Sequence, residues 1–469
     1  MSGLHIIGMA ITLALVAGVS IYSGRKVKSA ADFDVGGKRA GSIEVAAAIM
    51  GTLVGGSSTI GTAQLAFDYG MSAWWFTLGG GIACLLLALF FIVPMRAKNR
   101  STIVEIISAE FGKTAGVTSA LLSSAGTFIN IISQLLSATA ILALVFPRMD
   151  ILSALLLTAA LMALYVVFGG VRGAAMVGQV KLLLIYLTVI VSGVTALRLG
   201  GGVGAYFAEL DHQRYFHLFA RGVGKDAGAG LSLLLGVLCT QSYAQAFLAG
   251  KTDAAARRGA LISAVMVPIV GIGGILVGLY MRRFVPELAS AKLALPQFIS
   301  THMPPVLCGV IFAALFIAVV GTGAGLALGI SSTISNNLVK SWKSPRQKLL
   351  FSRALIMALL LAACFLSTGT IGDTILGFAF MSMGLRGAVI FAPLCCALWL
   401  PGRVDRRWAT AGIVAGPLTV LLFGLLGTLP FDPLFMGIFV AMGCCAVGCV
   451  VRSPLAGFKS GEKEGRHGH

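Results

Sequence analysis

IEVAAAIMGTLVGGSSTIG, residues 43–61, is the stretch on which the fold turns. It is apolar enough and long enough to lie across a bilayer. Yet Gly55 and Gly56, followed by Ser57, Ser58 and Thr59, stand in its middle and invite a break in the helix. Broken backbone at membrane depth is tolerated only where it lines a cavity or is buried in protein. Freed carbonyls there can hold a cation, and a half-helix N-terminus can face an anionic group. The plain alternative is glycine-rich close packing of an unbroken helix.

The rest of the chain agrees with a membrane setting. Of 469 residues, 57% are hydrophobic and 11% charged, and the mean hydropathy is +0.94. A soluble exterior cannot accommodate that composition. Apolar runs recur throughout, and we place thirteen spans at 3–23, 42–66, 72–95, 115–146, 150–168, 174–199, 228–249, 259–281, 305–338, 350–368, 373–400, 408–428 and 434–451. The expected class is an all-α integral membrane protein, and sixty glycines suit close helix packing in lipid. The segment from Leu4 to Tyr22 lacks a basic n-region and a cleavage site, and reads as a retained helix.

The formal charge of +18 does not point to nucleic acid, because the basic residues sit in short loops and form no continuous face. One set of loops carries Arg25, Lys26, Lys28, Lys38 and Arg39, then Arg96, Lys98, Arg100 and Lys113, then Arg172, then Lys251, Arg257 and Arg258, then Lys340, Lys343, Arg346 and Lys348, then Arg403, Arg406 and Arg407. The opposite loops carry far fewer, so the rich side is expected to be the cytoplasm, with the N-terminus outside and the C-terminus inside. A bacterial inner membrane is the expected location. The nine cysteines read as small buried residues, and the adjacent pairs Cys395-Cys396 and Cys444-Cys445 are poor disulfide candidates. The tail from Arg452 to His469 reads as disordered and solvated, although His467 and His469 could touch metal.

Carboxylates are nearly absent from the spans, with Glu44 and Asp68 near their ends. Two cations fall inside. Lys181 lies about two turns into the sixth span, where it could snorkel or act, and Arg386 is near the middle of the eleventh. A mid-span arginine is a site candidate, and its planar fork suits a solute carboxylate. In the ninth span Ala318, Gly321 and Thr322 share one helical face. Backbone carbonyls and the Thr322 hydroxyl could hold a hard cation without a carboxylate. The six histidines (His5, His212, His217, His302, His467, His469) lie at ends, loops or tail and build no catalytic constellation, so no enzyme is expected.

Several motifs together resemble the sodium/solute symporter family over residues 30–415. Residues 31–41, ADFDVGGKRAG, are similar to its D-F-x-x-G-G-R-x-x-G loop, and 67–70, FDYG, to its Y-x-x-G. Residues 169–174, GGVRGA, are similar to G-G-L-R-A-V, and the run from Gln241 to Gly259 to Q-R-x-x-x-A-K-x-x-x-x-A-R-x-G. The ninth span matches A-x-x-S-T-A-D-S-L-L-L-x-x-S-S without gaps. The resemblance implies a leucine-transporter-like fold of two inverted five-helix repeats, spans 2–6 and 7–11. It divides the chain into an extra helix at 1–30, a core at 31–400, extra helices at 401–452 and a tail at 453–469. It also implies a Na+ site of Gly51, Val54, Ala318, Gly321 and Thr322, and a solute site at Gly55, Gly56, Ser57 and Ser58 facing the spans of Gln241 and Arg386.

The chain departs from the family pattern at telling places. Gly321 replaces the usual serine, Gly178 an aspartate, Lys181 a glutamine and Ala246 an arginine, while Gly236 and Thr77 stand where sugar carriers have a tyrosine and an acid. A sugar is therefore not the expected solute. The expected function is import of a small polar, plausibly anionic solute coupled to Na+ by alternating access. Two alternatives stay open: a Na+-independent or proton-coupled carrier in which the Lys181 ammonium replaces the ion, and a transporter-like solute sensor. No kinase domain follows residue 452, which weighs against the sensor, and a channel lacks the charged rings it would need.

Overall fold

The architecture was analysed in a computed structural model that describes residues 3–24, 39–337, 339, 344–369, 374–426 and 431–452. The motif at 31–38 and the tail beyond Arg452 lie outside the described residues, whereas residues 169–174, expected as a turn, are helical backbone within Ile151–Leu199, with only the side chains of 166–177, Arg172 included, left outside the description.

The helices are α1 (Gly3–Gly24), α2 (Ser42–Leu53), α3 (Thr62–Tyr69), α4 (Trp75–Leu86), α5 (Ile92–Ala97), α6 (Ile103–Phe111), α7 (Lys113–Val145), α8 (Ile151–Leu199), α9 (Val203–Glu209), α10 (His212–Tyr215), α11 (Val223–Cys239), α12 (Gln241–Leu248), α13 (Asp253–Phe284), α14 (Ala294–His302), α15 (Pro305–Asn337), α16 (Pro345–Thr368), α17 (Ile375–Trp399), α18 (Arg406–Leu426) and α19 (Leu434–Arg452). No strand is named among the described residues. Helices dominate because lipid offers no partners for backbone polar groups, and a helix satisfies its own.

Nine of the described helical stretches are long and apolar enough to cross a membrane, ten if the bent pair α11–α12 counts as one span. The expectation of thirteen is therefore not met by this count. The second and third expected spans are divided differently, because α2 stops at Leu53 and one helical stretch continues from Ser57 to Ala97. The fifth and sixth fall within the 49-residue α8. Shorter apolar helices at Gly3–Leu15, Ser42–Leu53 and Ile151–Tyr165 account for further expected spans.

The first helix of each expected repeat is interrupted. The α2–α3 interruption lies at Val54 to Gly56, where Val54 is extended at φ −89° and ψ 100°. The α11–α12 interruption lies at Thr240, extended at φ −93° and ψ 126°, and bends the pair by 50°. Broken helices at matching places in two halves are the usual mark of a binding centre in inverted-repeat carriers. Around them, α15 packs on α7 and α8, α13 on α2, α3 and α4, and α17 on α7 and α11. The outer helices α16, α18 and α19 keep much of their apolar surface exposed, as at Phe365, Leu422 and Phe439. That surface suits acyl chains.

Small residues set the approach of the packed helices. Gly273 of α13 lies against α8 so tightly that a Cβ there would stand 2.3 Å from the Val189 carbonyl oxygen. Backbone cannot yield as a flexible side chain does. Replacing Gly273 with Ala should therefore cost about 1–3 kcal/mol and lower the melting temperature of the purified protein in detergent. An unchanged melting temperature would show a looser crossing.

Candidate functional site

The break in the first core helix is held by named bonds. In a regular helix the Gly55 N–H would donate to the Gly51 carbonyl. Here it donates to Ser58 Oγ at 2.9 Å, while the Gly56 N–H donates to Gln134 Oε1 at 2.9 Å. Gln134 Nε2 donates in turn to Ser57 Oγ at 3.0 Å. Ser57 and Ser133 share a hydrogen bond of 2.9 Å, and the Ser133 hydroxyl reaches the Ile375 carbonyl at 2.8 Å. The Ser58 and Thr59 hydroxyls both return to the Gly55 carbonyl at 2.9 Å. Glycine is required here because a Cβ at position 56 would meet Ser137 Cβ at 2.3 Å.

This arrangement leaves the Gly51 carbonyl free of its helical partner, and a cation takes it. Lys181 Nζ donates to Gly51 O at 2.6 Å and to Thr322 Oγ1 at 2.6 Å. Its side chain does not snorkel, since Lys181 is only 1% exposed. Three residues singled out from sequence, Gly51, Thr322 and Lys181, therefore converge on one point between α2, α8 and α15. Gly321 lies beside it, where a Cβ would meet Tyr165 Oη at 3.6 Å and Lys181 Cδ at 3.7 Å. Val54 and Ala318 are buried nearby in chain position. Helix α15 is continuous through this region, so its glycines make no second break, and among them Gly323 packs tightly, a Cβ there standing 2.5 Å from Met162 Cε.

Arg386 belongs to a different neighbourhood. It packs against Gly126 of α7, whereas the break packs against Gln134, eight residues further on (134 − 126 = 8), or about 12 Å along the helix. Arg386 is 1% exposed. Its Nη1 donates to Thr240 Oγ1 at 2.6 Å, its Nη2 to Ser382 Oγ at 3.0 Å and its Nε to Ser382 O at 3.1 Å. No carboxylate pairs with it among the described residues. The guanidinium borders a cavity of about 20 Å³ lined also by Ser124, Thr127, Thr240, Gln241 and Thr333. That volume holds little more than a water. The buried Ser124 hydroxyl has no hydrogen-bond partner among the described residues.

The expected solute residues are thus divided. Gly55, Gly56, Ser57 and Ser58 form a sealed, internally bonded knot, while Arg386 faces the small cavity. Gln241 lines that cavity, but its amide is engaged in holding α6, accepting from Ile103 N at 2.9 Å and donating to Ser101 O at 3.3 Å. Two participants went unnoticed in the sequence. Gln134 and Thr240 are polar residues inside apolar runs, and only that contrast could have flagged them.

Interrupted helices, a buried cation on freed backbone and an unpaired arginine at a cavity define a membrane transporter of the inverted-repeat class. The chain belongs to the sodium:solute symporter family, which matches residues 33–416. The sodium/pantothenate symporter of Escherichia coli (strain K12) is 24% identical over 460 residues, covering 93% of this chain and 94% of that protein. The sodium/sialic acid symporter of Proteus mirabilis (strain HI4320) is 24% identical over 478 residues, covering 94% and 93%. The osmoregulated proline transporter of Bacillus subtilis (strain 168) is 22% identical over 440 residues, covering 89% and 88%. Among solved structures, a Na+-coupled sialic acid symporter in a substrate-bound outward-open state superposes with a TM-score of 0.79 at 19% identity, covering 97% of this chain and 98% of that one. The fold is thus the leucine-transporter-like one that the motifs implied.

Gln134 is the side chain on which the break depends. Replacing it with Leu leaves the Gly56 N–H without its partner and removes a donor from Ser57, at about 1–3 kcal/mol for each buried group. The variant should melt well below the wild type, and Gln134→Glu, which keeps the acceptor, should lie between them. Identical melting curves for all three would remove this account of the break.

Proposed function

We propose that the chain is a secondary transporter that imports a small carboxylate-bearing solute by alternating access, driven by the Na+ gradient. The observation that carries the solute class is Arg386, a buried guanidinium with no carboxylate among its bonds, aimed with Ser124 and Thr240 at a cavity. Burying a cation without a counter-charge is costly, and an incoming carboxylate would relieve that cost through a planar, charge-assisted pair. Pantothenate and sialic acid, carried by two of the relatives, both bear a carboxylate. Sodium coupling is supported by the family to which the chain belongs.

The present cavity is too small for such a solute, so helices must move to admit one. The two broken helices supply the flexible points: Thr240 links α11 to α12, and Arg386 holds that link from α17. Binding at Arg386 would compete for the Thr240 hydroxyl and loosen the hinge. We place the N-terminus outside and the C-terminus in the cytoplasm of a bacterial inner membrane, on the Lys and Arg distribution of the loops.

A thermal-shift screen of pantothenate, proline and sialic acid on purified protein should give stabilisation by at least one carboxylate. Arg386→Gln should weaken that binding roughly a hundredfold, about 3 kcal/mol, while remaining folded. Unchanged affinity would refute the arginine's role. Uptake of the bound solute into proteoliposomes should be faster with Na+ outside than with choline, and equal rates would remove sodium coupling.

A further inference from the structure

The point between Gly51 and Thr322 holds the positive charge of Lys181. Two neutral oxygens, a carbonyl released by the helix break and a threonine hydroxyl, converge there, and both lie 2.6 Å from the Lys181 ammonium. No carboxylate bonds to Lys181 among the described residues. One positive charge therefore saturates the position. A second within bonding distance of the same two oxygens would meet the first with no anion between them, so Na+ and the ammonium exclude each other.

Glycines flank the lysine stem. A Cβ built at Gly178 meets no described atom within 4 Å, and one at Gly321 meets only ordinary contacts at 3.6 Å and beyond. Both positions lie beside the lysine stem, one turn before Lys181 on α8 and opposite it on α15. No side chain at 178 or 321 therefore clamps the four methylenes.

We infer that the Lys181 ammonium is a tethered cation holding the coupling-ion position, so that Na+ reaches Gly51 and Thr322 only by displacing it. The inference rests on the sodium-coupled reading above and deepens it, since the lysine then sets how much Na+ the carrier needs. A soluble competitor would act in proportion to its concentration. A tethered one is always present at high effective concentration, and raises the Na+ requirement without any change in the ligating oxygens.

Equilibrium binding of radioactive Na+ to purified protein tests this without the solute. Lys181→Met keeps the apolar stem and removes the charge, and should bind Na+ roughly tenfold or more tightly than the wild type. Lys181→Gln, which retains an N–H donor for Gly51, should also bind more tightly, and it carries the test if the methionine variant does not elute as a single folded species. Equal or weaker Na+ binding in the folded variants overturns the assignment, as does the absence of Na+ binding in every form. The carboxylate test at Arg386 is independent of these results. Tightened Na+ binding in Lys181→Met beside Na+-independent uptake by the wild type would uphold the lysine's place and sink sodium driving. Unaltered Na+ binding beside Na+-dependent uptake would do the reverse.

Discussion

A single diverted hydrogen bond organises the centre of this protein. Because the Gly55 N–H turns to the Ser58 hydroxyl, the Gly51 carbonyl loses its helical donor. An unpaired backbone carbonyl there would cost free energy comparable to a lost hydrogen bond. The Lys181 ammonium meets that need and brings a positive charge with it, and the Thr322 hydroxyl completes its coordination. Helices α2, α8 and α15 are thereby tied at one point by one side chain.

The second interruption follows the same logic with different groups. At Thr240 the helix bends, the Thr240 hydroxyl covers the Gly236 carbonyl at 2.5 Å, and the Arg386 guanidinium donates to that hydroxyl. Each broken helix of the pair is therefore served by a buried cation from another helix. Charge in the membrane is costly, and its retention at both breaks argues for function over packing. The two cations differ in their surroundings. Lys181 sits on backbone and hydroxyl oxygens, whereas Arg386 faces a cavity with a serine that has no hydrogen-bond partner among the described residues. That contrast is what motivates proposing different roles for the two.

Family membership and the distance from individual relatives fit together. The backbone framework is shared over nearly the whole chain, while identity to the individual relatives stays near a fifth to a quarter. Gly321 shows how little backbone change this needs, because the position has room for a side chain and simply lacks one. A fold of this kind can keep its framework while the side chains of a site vary.

Much was legible from residue order alone. Composition dictated the membrane, since so apolar a chain cannot present a wet exterior, and the run Gly55-Gly56-Ser57-Ser58 marked the break through local backbone freedom and short hydroxyl side chains. Arg386 and Lys181 stood out because charge in an apolar run is costly wherever it lies. What only the tertiary structure decided was which partners meet. Gln134 reaches Gly56 across 78 positions, Lys181 reaches Gly51 across 130 and Thr322 across 141, and Arg386 reaches Thr240 across 146. Such pairings depend on how helices cross, and crossing is set by packing between distant segments whose apolar faces look alike in sequence. The same physics placed Arg386 apart from the first break and beside the second.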